Sequence, residues 1–343
     1  REGDIVLDGA GLNTLSFGTG RAGQVEIAAK TLWMKAGTLG NFTAGMDQPG
    51  GITVTLSGTL TMISDPSLAL PIRTPPDSLI VSTSVSRAPS GDITLAAKDI
   101  LVSQRSIINN ASFASGPGGH LKIVTDTLQI LDGAQLSSGS TRAPDRGTLR
   151  SFVEGVSPTG PGGNITIQAS AGSTGSVVID GAGSGIFADT EGTGAGGSIN
   201  LSAKTLTIQN GGTISASTTG TDTGAVGGSI IVNVSDQVTM SNGASITASS
   251  VVIPKAPNTG ISNAGNISIN AGQQLDVRDS SITTKAEQAS GGNIGIKAVD
   301  RIRLVNGSIT TSVPNGTGNG GNITIDPNVV VLQNSNILAQ AAR

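Results

Sequence analysis

The carboxylates whose spacing comes closest to a catalytic pair are Asp276 and Asp279. Two acids could work as acid and base on a glycosidic bond if they converged to roughly 5 to 10 Å. A polysaccharide lyase would instead need clustered acids for Ca²⁺ and an Arg or Lys as base. One repeat further along, the equivalent places carry Arg301 or Arg303 and Asn306, not acids. Asp132 and Asp279 share an offset at which neighbouring repeats carry Asn, so they read as turn formers. His120 is the single histidine, and any Ser-His-Asp triad would have to use it. It directly follows Gly119, where other repeats place Asn164, Ser198, Asn266, Asn293 and Asn322, and so reads as a polar corner residue. The chain has no Cys, which removes thiolate metal sites, cysteine nucleophiles and disulfides together. GGNITIDPN and GTGNGGN are glycine-rich, but no GxxxxGK[ST] phosphate loop occurs. Lys30, Lys98 and Lys204 each lie seven residues after an anchor glycine, but in non-adjacent repeats, as a solvated corner would. No catalytic, cofactor-binding or metal-binding residue is therefore expected.

The elements that would position any such residue form a repeat. A Gly followed two and four residues on by aliphatics occurs at Gly23, Gly50, Gly91, Gly119, Gly163, Gly197, Gly228, Gly265, Gly292 and Gly321, and EGDIVL at Gly3 extends the series. Counting from Gly197, apolar residues fall at +2 and +4 (Ile199, Leu201), +9 and +11 (Leu206, Ile208) and +17 (Ile214). The unit from Gly119 reproduces these offsets with Leu121, Ile123, Leu128, Ile130 and Leu136. Alternation of apolar and polar residues over short stretches, rich in β-branched side chains, predicts three short strands per unit. Before the third strand stand Asp132-Gly133, Asn210-Gly211, Asn242-Gly243, Asp279-Ser280 and Asn306-Gly307, residues that tolerate positive φ.

A unit of this size cannot bury its inward face alone; stacked on copies of itself, it encloses a continuous aliphatic column. The expected fold is all-β: a right-handed parallel β-helix (β-solenoid), three short strands per coil and about ten to eleven coils, running as one continuous piece over residues 1–343. At a strand spacing of about 4.8 Å it would be a rod on the order of 50 Å long. Handedness is a fold-level expectation. A β-sandwich array is disfavoured because its buried Trp or Tyr and hairpin signals are missing. Open strand edges at both ends would make the isolated chain associate end to end.

Composition agrees with this reading. Only 2% of residues are aromatic, so Ile, Val, Leu and Ala must fill the core, and 50 glycines are about twice the usual share. Charged residues make up 13% and the net charge is -3, which points to neither nucleic acid nor an anionic membrane. No stretch approaches the roughly 18 apolar residues of a membrane span. REGDIVLDGAG lacks the basic and apolar regions of a signal peptide, so the chain reads as a piece of something longer.

Specific function is expected where the repeat is interrupted, at about residues 35–51, 65–90, 137–163 and 251–265. Candidate partner contacts are Trp33 and Phe42, with Arg142, Arg146, Arg150 and Phe152 in the third interruption. Trp33 lies between the inward Leu32 and Met34 and so points outward, where an indole packs under a neighbouring loop or stacks on a sugar ring. In TISAS, SITAS, SITTK and SITTS, Ser215, Thr247, Thr283 and Thr310 share one outward position and form a hydroxyl ladder, flanked by Thr213, Ser245, Ser281 and Ser308.

The Gly-Asn-Ile-Thr-Ile anchor, Leu-x-Ile second strand, Asn-Gly turn and Ser-Ile-x-Thr/Ala-Ser third strand resemble the repeats of filamentous-haemagglutinin-type large exoproteins, most clearly from Gly162 to Leu332. The resemblance implies a non-catalytic, extracellular or cell-surface rod of structural or adhesive function, exported by two-partner secretion through an outer-membrane transporter. Its partners would be glycans or proteins of a host or neighbouring cell. The family's Asn-Pro-Asn-type secretion motifs are not recognisable at Arg1 to Asp47. Two alternatives remain: a polysaccharide-acting β-helix enzyme (lyase or glycosidase), and an ice-binding module using the hydroxyl ladder.

Overall fold

The computed structural model describes residues 3–20, 22–45, 49–65, 67, 77–140, 158–170, 175–219, 225–251, 261–315 and 317–341. Among them the chain forms thirty strands and no helix. The strands pair in parallel, and apart from those at the two ends each has its partners one repeat before and one repeat after. A first ladder joins the strands that follow the anchor glycines, from Val25–Ala29 to Ile323–Asp326. A second runs from Asp4–Asp8 to Val329–Gln333. A third runs from Gly11–Ser16 to Asn336–Ala341 and makes an eleven-stranded sheet of its own. The first two belong to one nineteen-stranded sheet, because Ser198–Gln209 and Ser229–Ser241 run through both ladders without a break. This is a parallel, all-β, repeat-like architecture of the kind a β-solenoid requires.

The register places like over like. Ile165, Ile199, Ile230, Ile267 and Ile294 are successive partners in the first ladder. Leu206, Val238, Leu275 and Ile302 follow one another in the second, and Ile214, Ile246, Ile282 and Ile309 in the third. All are 0–1% exposed and belong to one cluster that runs from Leu7 to Ile309. Fully burying one such side chain contributes about 1.5–3 kcal/mol. No aromatic residue enters this cluster; Phe113 lies apart with Ala111 and Val85.

The anchor glycines are required by close approach. None has positive φ, yet a Cβ on Gly197, Gly228, Gly265 or Gly321 would lie 1.8–1.9 Å from the carbonyl oxygen of the anchor one repeat earlier. The corner before the third ladder obeys a different rule: Asp132, Asn210, Asn242, Asp279, Asn306 and Asn334 all have φ between 49° and 55°. Their side chains also bridge repeats, with Asn242 Nδ2 donating to Asn210 Oδ1 at 3.0 Å and Asn210 Nδ2 to Asp180 Oδ1 at 2.7 Å.

Two features differ from the sequence-based expectation. EGDIVL does not begin a first-ladder strand: Asp4–Asp8 pairs with Thr31–Lys35 in the second ladder. Ile5 and Leu7 satisfy the alternation of either ladder, so only the pairing distinguishes them. The stretches 35–51 and 65–90, read as interruptions, contain the third-ladder strands Thr38–Thr43 and Leu79–Ser84. Their inward residues beyond Leu39 and Ile80 are the buried polar Asn41, Thr43, Ser82 and Ser84, which hide the apolar period.

Candidate functional site

The outer face of the third ladder carries the hydroxyl rows. Ser215, Thr247, Thr283 and Thr310 are successive partners, with Thr213, Ser245, Ser281 and Ser308 in register beside them. Phe187 bounds the row on one side and Leu338 on the other. Ser215 is buried, and its Oγ donates to Asp189 Oδ1 at 2.6 Å; the same carboxylate oxygen accepts the Ser217 N–H at 2.7 Å. Burial pushes the Asp189 carboxyl up, against these two hydrogen bonds, which favour its ionised form. Thr213 and Ser245 lie 3.1 Å apart, and Thr247 and Ser249 2.8 Å. The hydroxyls of Ser281, Thr283, Ser308 and Thr310 have no protein partner among the described residues. Lys285 follows in the same strand and forms an ion pair with Glu287. The face offers a polar lattice, largely satisfied at its Ser215 end and open at its Thr310 end.

Trp33 sits on the outer face of the second ladder. Leu32 and Met34 on either side are fully buried, so alternation turns the indole outward, where it is half-buried. Its neighbours in register are Val6, which is 62% exposed, and Thr61. Thr31 Oγ1 donates to Asp4 Oδ1 at 2.7 Å on one side. On the other, Lys35 Nζ lies 2.5 Å from Asp65 Oδ2. Asp65 also accepts the Ser67 N–H at 2.9 Å and the Ser67 hydroxyl at 2.5 Å. The hydrogen bond from Lys35, then those from Ser67, hold the Asp65 carboxyl down at about 2. Phe42 is half-buried on the third ladder between Leu15 and Thr83, its ring centroid 5.8 Å from that of Phe17 at a 50° tilt. Arg142, Arg146, Arg150 and Phe152 lie outside the described residues.

Both acids of the best-spaced pair are engaged by other side chains. Asp276 is taken by Arg278, whose Nε and Nη2 donate at 3.1 and 3.0 Å, and Arg303 Nη1 stands 4.0 Å away. Asp279 occupies a positive-φ corner and accepts from Asn306 Nδ2 at 3.0 Å. His120 is exposed, and its backbone N–H donates to Asp92 Oδ1 at 2.8 Å, a corner link between repeats. Among the described residues no three His, Asp or Glu side chains come together as metal ligands would. Two polar centres were not anticipated: Asp189 with Ser215, and Lys35 with Asp65. The signal for the first was an acid in the row where later repeats carry Ser217 and Ser249. Comparison with family models, with curated proteins and with solved structures finds no match.

Proposed function

We propose that this chain is a right-handed parallel β-helix of about eleven coils with three strands each, acting as a non-catalytic structural or adhesive rod at the cell surface or outside the cell. The observation that carries the reading is the unbroken aliphatic column, with like residues in register from repeat to repeat. Such a stack is stiff and extended, and it spends its side chains on length. The acids with catalytic spacing support the same reading, since Asp276 and Asp279 are each engaged by Arg or Asn. The repeat's resemblance to filamentous-haemagglutinin-type exoproteins gives the proposed export route, through an outer-membrane transporter, and the proposed partners, glycans or proteins on other cells.

The experiment combines shape with binding. Electron microscopy is expected to show a rod, and beads coated with the protein are expected to be retained on intact cells. Release of reducing sugar from polysaccharides is expected to stay at the level of a buffer blank. Compact globular particles, or turnover of a polysaccharide, would contradict the proposal.

A further inference from the structure

Aromatic side chains have no place in the aliphatic column of this protein. Each described aromatic therefore needs its own explanation. Phe113 packs in a satellite cluster, Phe17 and Phe42 lie against each other, and the Phe187 ring lies over Gly185. Trp33 differs from these. It is the single Trp, it stands on a regular strand at an outward position, and its indole N–H has no acceptor among the described residues. Next to it on the same face, Val6 is 62% exposed, which makes an apolar strip two repeats wide.

The flanks of this strip are polar and carry more carboxylates than cations. Asp4 is engaged by the Thr31 hydroxyl and retains acceptor capacity. Lys35 is neutralised by Asp65, with Asp8 also close enough to favour its charged form. Around the strip the carboxylates of Asp4, Asp8 and Asp65 outnumber the ammonium groups of Lys30 and Lys35, which disfavours an anionic polymer. A pyranose ring matches the arrangement: its C–H face covers the indole and Val6, and its hydroxyls reach the oxygens of Asp4 and Thr31 on one side and the indole N–H.

We propose that Trp33, with Val6, Asp4 and Thr31, forms a binding platform for a neutral pyranose polymer. This rests on the adhesive reading above and names where on the rod a glycan would be held. Trp33 acts by stacking, so the platform binds the sugar and performs no reaction on it.

One Trp and no Tyr make the intrinsic fluorescence a reporter of this position alone. The intact 343-residue protein is titrated with a soluble mixed-linkage glucan, and in parallel with alginate as a polyuronate of similar length. The expected result is a saturable blue shift or quench with the glucan and none with alginate. Trp33→Thr, which copies Thr61 of the next repeat, should retain the fold by circular dichroism and lose at least about tenfold in affinity, read by sedimentation with the glucan. Asp4→Asn should weaken binding without changing the emission of the free protein. Unchanged emission with glucan, an equal response to alginate, or undiminished glucan binding by Trp33→Thr would each overturn the platform. The rod shape and cell retention are read separately, so failure here leaves the adhesive reading to stand or fall on its own test.

Discussion

The carbonyl oxygen of Gly265 occupies the space that a side chain on residue 292 would need: a Cβ built on Gly292 would lie 1.6 Å from it. Glycine at the anchor is thus a condition for two repeats to approach to strand-pairing distance. Gly292→Ala must move backbone, not a side chain, and overpacking of this kind costs about 1–3 kcal/mol or more. A Cβ on Gly295, three residues on in the same repeat, would meet nothing within 4 Å. Gly295→Ala is expected to be neutral or slightly stabilising, by up to about 1 kcal/mol. Urea unfolding of the two variants side by side checks the contrast, and equal midpoints would refute it.

The corner before the third ladder yields a second prediction. Asn306 has a φ of 51° and donates through Nδ2 to Asp279. Asn306→Val forces a β-branched residue into the left-handed region, at about 1–2 kcal/mol, and also removes the amide link. Asn306→Gly keeps the backbone conformation at low cost and removes only the link. Hydrogen exchange at residues 279–334 should accelerate markedly in the Val variant and little in the Gly variant.

These two positions also mark what could be read before the fold was known. The Gly anchors and the Asn-Gly corners were visible because each repeat independently meets the same steric demand, so the sequence records it many times over. The interior columns were visible for the same reason, as with Ile199, Leu201, Leu206, Ile208 and Ile214, all 0% exposed. The strand Thr38–Thr43 was not visible because its inward Asn41 and Thr43 are polar. Asn41 Nδ2 instead donates to the carbonyl of the anchor Gly23 at 2.9 Å, a bond from this strand to the turn before Val25–Ala29. Polar centres such as Lys35 with Asp65 and Ser215 with Asp189 occur once each, and no period announces a feature that occurs once.

The Lys35–Asp65 pair predicts a pH dependence of definite sign. The Asp65 carboxyl is held at about 2 in the folded chain, against about 3.9 when unfolded. A lowered carboxylate contributes stability that is fully present above the unfolded value and is lost as pH falls through the folded value. Lys35 is raised, so its contribution is present at neutral pH and is lost only as alkaline pH passes its folded value. Asp77 and Asp189 are raised by burial and act in the opposite sense at acid pH. The difference between wild type and Asp65→Asn isolates the pair. That difference in melting temperature should be constant from about pH 5 to 7 and shrink toward zero between about pH 4 and pH 2. A difference that grows on acidification would contradict it.

The in-register stacking of parallel repeats is tested most directly by placing cysteines in a chain that has none. Thr283 and Thr310 are register partners in the third ladder, and Thr283 and Ser312 are two residues out of register. Partner strands lie about 4.8 Å apart, inside the roughly 4.4–6.8 Å Cα window of a disulfide. The offset pair, displaced by two residues of about 3.3 Å each, lies at about 8 Å and outside it. On mild oxidation, Thr283→Cys with Thr310→Cys should form an intramolecular disulfide in high yield, and Thr283→Cys with Ser312→Cys should stay reduced. Preferential cross-linking of the 283–312 pair would contradict the stack.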